Sequence, residues 1–197
     1  MKEALIIFVR NLVLGKVKTR LAKTIGDEMA LQVYKQLLLH TKTITKDFAV
    51  TRFVFYADHI NEQDIWDNNF YNKSLQQGSD LGARMSKAFS ELFSQGFKHI
   101  VIIGSDCYEL TTEILQDAFA QLQHYDMVAG PSFDGGYYLL GLNKLHNTLF
   151  ENKAWSTDNV MKATLQNADA LDLSYYLLPV LNDIDDEDDL KNSDLII

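Results

Sequence analysis

Ala4-Leu5-Ile6-Ile7-Phe8-Val9 is an unbroken apolar run, and Arg10-Asn11-Leu12-Val13-Leu14-Gly15-Lys16-Val17-Lys18-Thr19-Arg20 follows it directly. An apolar run that does not alternate marks a strand buried on both faces, here Leu5 to Val9. Downstream, Ala30, Val33, Tyr34, Leu37 and Leu38 recur at i, i+3, i+4, i+7 and i+8, which is one face of a helix. The stretch therefore reads as strand, cation-bearing loop, helix.

The same pattern continues along the chain. Phe53 to Tyr56, Ile100 to Ile103, Met127 to Ala129 and Tyr137 to Leu142 read as buried strands. Helical periodicity appears in Leu81, Met85, Ala88, Phe89 and Leu92, and again in Leu115, Ala118, Phe119 and Leu122, with Thr111 or Thr112 as cap. Val160, Met161, Thr164, Leu165 and Ala168 form another such face, with Ser156 or Thr157 as the expected cap. Alternating strands and helices predict an α/β fold, a mostly parallel sheet covered by helices on both faces. In such sheets ligands bind beyond the carboxyl ends of the strands, where the polar, glycine-containing segments lie here.

The 197 residues suit one domain spanning 1–197, long enough to bury a core without disulfide or metal. A net charge of −9 argues against a general nucleic-acid binder, which needs a basic face. Cys107 is the sole cysteine, as expected in a reducing compartment, and the first apolar run is too short for a signal segment or a membrane span. The expected location is cytoplasmic. Five scattered histidines show no zinc spacing, and neither a Gly-x-Ser-x-Gly elbow nor a Gly-x-Gly-x-x-Gly turn is present.

Four segments are candidates for chemistry. In the loop Arg10 to Arg20, four cations gather in an acidic chain; Lys18 supplies a point charge and Arg20 a bidentate fork for a diphosphate or triphosphate. The bland alternative is a solvated basic loop. In Gly104-Ser105-Asp106-Cys107, a lone carboxylate ends a central strand, placed either to hold Mg²⁺ or Mn²⁺ against phosphate oxygens or to cap the next helix. In Gly130-Pro131-Ser132-Phe133-Asp134-Gly135-Gly136, paired glycines allow close backbone approach to a ligand, with Asp134 as second metal contact or base; a tight Asp-Gly hairpin is the alternative. In Gln76-Gln77-Gly78-Ser79-Asp80-Leu81-Gly82-Ala83-Arg84, a helix start can receive an anion with help from Arg84, or can simply be capped by Ser79 or Asp80. The acidic run Asp183 to Asp189 reads chiefly as a solvated helix start. Trp155, which precedes Ser156-Thr157, is either a buried core residue or a platform for a sugar or base.

Taken in order, Gly15-Lys16-Val17-Lys18-Thr19-Arg20-Leu21, Asp80-Leu81-Gly82, Gly104-Ser105-Asp106, Gly130-Pro131, Asp134-Gly135-Gly136-Tyr137-Tyr138, Trp155-Ser156-Thr157 and Asp183-Ile184-Asp185 with Asp189-Leu190 resemble a bacterial family of nucleotide-diphospho-sugar transferases. That resemblance spans nearly the whole chain. It implies a glycosyltransferase-A-like fold, a three-layer α/β/α sandwich around a mostly parallel mixed sheet. Relatives of the fold include the guanylyltransferases that build molybdenum cofactor and coenzyme F420. The chain departs from the family at Arg10 and Leu12, where Lys and Pro are usual, and at Tyr108, where Pro is usual.

The expected function is metal-dependent glycosyl transfer from a nucleotide-diphosphate sugar to an acceptor the sequence does not name. Asp106 and Asp134 are the expected catalytic and Mg²⁺- or Mn²⁺-binding carboxylates. Arg10, Lys18, Arg20, Gly78, Asp80, Gly82, Arg84, Gly135 and Gly136 are the expected nucleotide contacts. Nucleotidyl transfer from a nucleoside triphosphate to a phosphorylated acceptor is the second reading. Nucleotide binding without turnover is the third, suggested by Arg10, Leu12 and Tyr108.

Overall fold

The computed structural model describes residues 2–196. Seven strands form one sheet: β1 (Glu3–Val9), β2 (Thr51–Tyr56), β3 (Tyr71–Leu75), β4 (His99–Ile103), β5 (Met127–Pro131), β6 (Tyr137–Leu142) and β7 (Tyr175–Leu177), in the order β3-β2-β1-β4-β6-β5-β7. The helices are α1 (Thr19–Ile25), α2 (Asp27–Thr45), α3 (Leu81–Ser94), α4 (Thr112–Gln121), α5 (Val160–Ala170) and α6 (Glu187–Asn192). Among the described residues, no helix is long and apolar enough to cross a membrane.

Strand alternation divides the core in two. Leu5, Ile7 and Val9 of β1 join Val54 and Ile103 on one face, under Leu21 of α1, Val33 and Leu37 of α2 and Phe119 of α4. Ala4 and Ile6 join Phe55 and Ile102 on the other, under Met85 and Phe89 of α3 and Met161 of α5. Three layers result, as the sequence predicts, and the helix faces read from it are the inward ones, except that Leu81 at the start of α3 is exposed.

Three features differ from expectation. β3 and β7 are the sheet edges, and neither is among the strands read from the sequence: β3 has no apolar run, with only Tyr71 fully buried, and β7 is only three residues long. β6 is antiparallel to both β4 and β5, because the five residues 132–136 leave room for a hairpin and none for a crossover helix. Neither Ser156 nor Thr157 caps α5. That helix begins after Asn159 without a side-chain cap, and the Thr157 hydroxyl donates to the Ala154 carbonyl.

The direction of the chain reverses across β1. It moves outward to β2 and β3 on one side, then returns to lay β4 on the other, with both neighbours parallel to β1. The carboxyl ends of β1 and β4 therefore meet at the topological switch point of the sheet, where such folds open a crevice.

Candidate functional site

The loop after β1 carries Lys18 into that crevice by an unusual backbone conformation. Lys18 sits just before α1 with φ of 47°, in the left-handed region. A non-glycine residue there costs roughly 1–3 kcal/mol and persists only where its surroundings hold it. The hold is two carboxylates. Lys18 Nζ lies 2.8 Å from Asp106 Oδ1, on the loop after β4, and 3.0 Å from Asp185 Oδ1, and its side chain is only 5% exposed. Arg20 pairs with the other oxygen of Asp185. Burial alone would lower the Lys18 pKa, but the Asp106 and Asp185 charges outweigh it and raise it, so the ammonium is charged at any physiological pH. The Asp185 pKa, which burial would raise, is held down by Lys18 and Arg20.

Asp183 and Asp185 reach the crevice through the backbone. The Ile184 amide donates to the Asp106 carbonyl at 3.0 Å, and the Asp185 amide donates to Asp189 Oδ2 at 3.0 Å. Asp186 and Asp189 form a capping box at the start of α6. The acidic run thus divides: Asp186 and Asp189 are the helix start that the sequence predicts, whereas Asp183 and Asp185 belong to the site. The Asp183 carboxylate makes no hydrogen bond among the described residues. Its pKa is pushed up to about 7 by burial first and by the facing Asp106 charge second, with Asp185 and Asp134 adding to the repulsion.

On the opposite lip, Asp134 Oδ1 accepts from Ser132 Oγ at 2.6 Å and from the Gly136 amide at 2.8 Å, leaving Oδ2 without a partner among the described residues. Gly135 holds this turn with φ of 85°, and a Cβ there would run into the Asp158 backbone; its carbonyl accepts from the Met161 amide at 2.8 Å. The turn between β5 and β6 is thereby docked onto the start of α5.

These elements enclose one cleft of about 690 Å³. Arg10, Lys16, Arg20, Asp106, Asp134 and Gly136 all line it, together with Asp183, Asp185, Trp155 and Leu81. Arg10 and Lys16 pair with no carboxylate among the described residues, whereas Lys18 and Arg20 are ion-paired, Arg20 with its side chain still largely exposed. Trp155 is half-buried rather than core. Among the described residues, no group of three or more Asp, Glu, His or Cys is disposed to hold a metal ion.

The segment Gly78 to Arg84 does not contribute its expected contacts to the cleft. Asp80 caps α3, accepting from the Ala83 amide at 2.9 Å, which lowers its pKa. Arg84 Nε donates to the Gly78 carbonyl at 3.3 Å, and its side chain lines a separate recess beside Gln77 and Glu91. Gly82 is a packing residue: a Cβ there would strike the Trp155 ring and the Phe150 carbonyl. Leu81 alone of this stretch reaches the cleft. The expected anion contact at the start of α3 is therefore replaced by a capped helix end, and Gly82 acts indirectly by letting Trp155 lie against α3.

Comparison with known proteins agrees with this architecture. Residues 40–157 match a family described as an uncharacterized protein conserved in bacteria, DUF2064. A crystal structure from Desulfovibrio desulfuricans G20, named "putative nucleotide-diphospho-sugar transferase", is 30% identical, with 98% of this chain and 90% of that chain covered and a TM-score of 0.89. The inositol-1-phosphate CTP transferase of T. maritima shares the fold at 15% identity, 98% and 92% coverage and a TM-score of 0.61. So does a CMP:2-keto-3-deoxy-manno-octonic acid synthetase solved with CTP, at 8% identity, 97% and 96% coverage and a TM-score of 0.61. No curated protein sequence matches significantly.

Proposed function

The chain belongs to the bacterial DUF2064 family and has the nucleotide-diphospho-sugar transferase fold, and on that premise we propose that it transfers a sugar from a nucleotide-diphosphate sugar to an acceptor. The observation that carries this reading is the meeting of the β1-loop cations with Asp106 and Asp134 across one cleft at the switch point of the sheet. The fold of the Desulfovibrio protein, and that protein's name, support it.

Arg10, Lys16 and Arg20 would grip the diphosphate, Arg10 and Arg20 by paired N–H groups and Lys16 as a point charge. Asp134 Oδ2, oriented by the two bonds to its other oxygen, would take the acceptor hydroxyl proton. The acceptor oxygen would then form the new bond to the anomeric carbon as the bond from that carbon to the β-phosphate oxygen breaks and the nucleoside diphosphate leaves.

The cleft carboxylates are of a kind that a divalent cation could use together with substrate phosphate. Asp106 and Asp183 face each other as repelling carboxylates, hard oxygen ligands of the kind Mg²⁺ and Mn²⁺ take, and these ions usually complete their shell with substrate phosphate and water rather than an all-protein cage. Asp106 would hold the ion with Asp183, and Asp134 would approach from the other lip. When bound, the ion would offset charge developing on the leaving diphosphate.

Nucleotidyl transfer is the second reading. Arg10 and Lys16 stand ready beside Arg20, a row of cations that suits a triphosphate as well as a diphosphate. Product analysis separates the two. Release of nucleoside diphosphate from a nucleotide-sugar supports glycosyl transfer, and release of pyrophosphate from a triphosphate supports nucleotidyl transfer. Turnover of neither class by well-folded protein would contradict both.

A further inference from the structure

Lys18 is the cation of the β1 loop that is least exposed to solvent, and it is already engaged. Arg10 and Lys16 line the cleft with no ion-pair partner among the described residues, while Lys18 is turned inward by a left-handed backbone, with its ammonium shared between Asp106 and Asp185. An ammonium 2.8 Å from Asp106 Oδ1 stands in the way of a metal ion approaching that oxygen. The charge balance points the same way. Arg10, Lys16, Lys18 and Arg20 face Asp106, Asp134, Asp158, Asp183 and Asp185 in the cleft, so without ligand its formal charge is close to neutral. A free divalent ion entering beside Lys18 meets repulsion at short range and little net attraction. An incoming diphosphate changes both terms. It brings two or more negative charges, and it competes for the lysine N–H groups that Asp106 and Asp185 now accept.

We propose that Lys18 is an internal occupant of the cation position: while no nucleotide is bound its ammonium keeps a divalent ion off Asp106, and nucleotide phosphate draws the lysine away so that nucleotide and metal enter together. The second half rests on the nucleotide reading given above; the first half does not. Lys18 then has two successive partners, carboxylate in the empty protein and phosphate in the loaded one. The left-handed backbone at Lys18 turns the side chain toward the carboxylates at the edge of the cleft. The consequence is strong mutual dependence of metal and nucleotide, which linkage requires to be reciprocal.

Mn²⁺ binding to the full chain, followed by electron paramagnetic resonance of the free ion, tests this without any turnover. Wild type should bind Mn²⁺ weakly alone and at least tenfold more tightly with UDP, GDP, CDP or ADP, each added separately. Lys18→Gln should bind Mn²⁺ alone at least tenfold more tightly than wild type, and the gain from nucleotide should shrink. Lys18→Arg keeps a cation and should stay as weak as wild type. It also guards against a Lys18→Gln chain that fails to fold, because an Arg variant binding Mn²⁺ alone as tightly as wild type does with nucleotide would overturn the exclusion. Equal Mn²⁺ affinity in wild type and Lys18→Gln would overturn it too. If Lys18→Gln gains affinity but no nucleotide tightens Mn²⁺ in wild type, the exclusion stands and the coupling to nucleotide is overturned together with the functional reading.

Discussion

The Tyr34 hydroxyl lies 3.1 Å from Ser105 Oγ, so a side chain of α2 ties itself to the loop after β4, and it also accepts the Arg10 amide at 2.8 Å from the loop after β1. Both loops of the crevice thus hang on one buried phenol, whose pKa burial pushes up to about 12 and which therefore stays a neutral donor. Tyr34→Phe keeps the ring and removes the hydroxyl, leaving the buried Ser105 hydroxyl and the Arg10 amide short of a partner. The expected loss is about 1–3 kcal/mol of stability, measured by urea unfolding, with weaker nucleotide binding. A variant as stable as wild type that binds equally well would show that the tie does not matter.

Gly135 tests the opposite lip. Its φ of 85° and the Asp158 backbone both exclude a side chain. Gly135→Ala should lower the unfolding free energy by roughly 1–3 kcal/mol through backbone strain and collision together. Because the turn carries Asp134, turnover should fall further than stability does. An alanine variant with wild-type thermal midpoint would mean that the turn relaxes freely.

Asp183 gives a pH dependence with a definite sign. Its pKa rises to about 7 in the folded chain, so the folded state binds more protons than the unfolded state between about pH 4 and pH 7. Its contribution is then most favourable below the unfolded pKa and is lost as pH rises through 7. In buffer with chelator and no added metal, Asp183→Asn should therefore be more stable than wild type at pH 8, by roughly 1–3 kcal/mol, with the difference vanishing near pH 4. Denaturation series at the two pH values decide it; a difference independent of pH would contradict the assigned cause.

Arg84 and Lys16 make a contrast. Arg84 faces a separate recess, so Arg84→Ala should leave nucleotide affinity unchanged. Lys16 lines the cleft with no carboxylate partner among the described residues, so Lys16→Ala should weaken nucleotide binding about fivefold or more, as expected for one charge-assisted contact. Calorimetric titration of both variants with the same nucleotide checks the pair.

How far the sequence carried can be seen residue by residue. The central strands were legible because burial on both faces leaves no polar alternation, as in Ile100 to Ile103. The edge strands were not, because β3 faces water and reads as loop. The direction of β6 was hidden, since an apolar run has no polarity; only the short connection at 132–136 indicates it. Lys18, Arg20, Asp106 and Asp134 were legible as neighbours of one crevice, because loops after parallel strands converge. Their pairing was not, because Asp185 lies 167 residues from Lys18 inside an acidic run that looks solvated. A sequence sign was present: Asp186 and Asp189 satisfy a capping box by themselves, which leaves Asp183 and Asp185 outside the helix with no local role.

The central claim is a nucleotide site between the β1 loop and Asp106, and thermal shift tests it most directly. Wild type and Asp106→Asn are heated with UDP-, GDP-, CDP-, ADP- and dTDP-sugars and with the matching triphosphates, each with and without Mn²⁺. A ligand that binds only the folded state raises the midpoint by mass action. Wild type should be stabilised by at least one nucleotide-sugar, more with Mn²⁺ than without, and Asp106→Asn should lose the Mn²⁺-dependent part. No shift of folded wild type with any nucleotide would contradict the site, and an Asp106→Asn response identical to wild type would remove Asp106 from it.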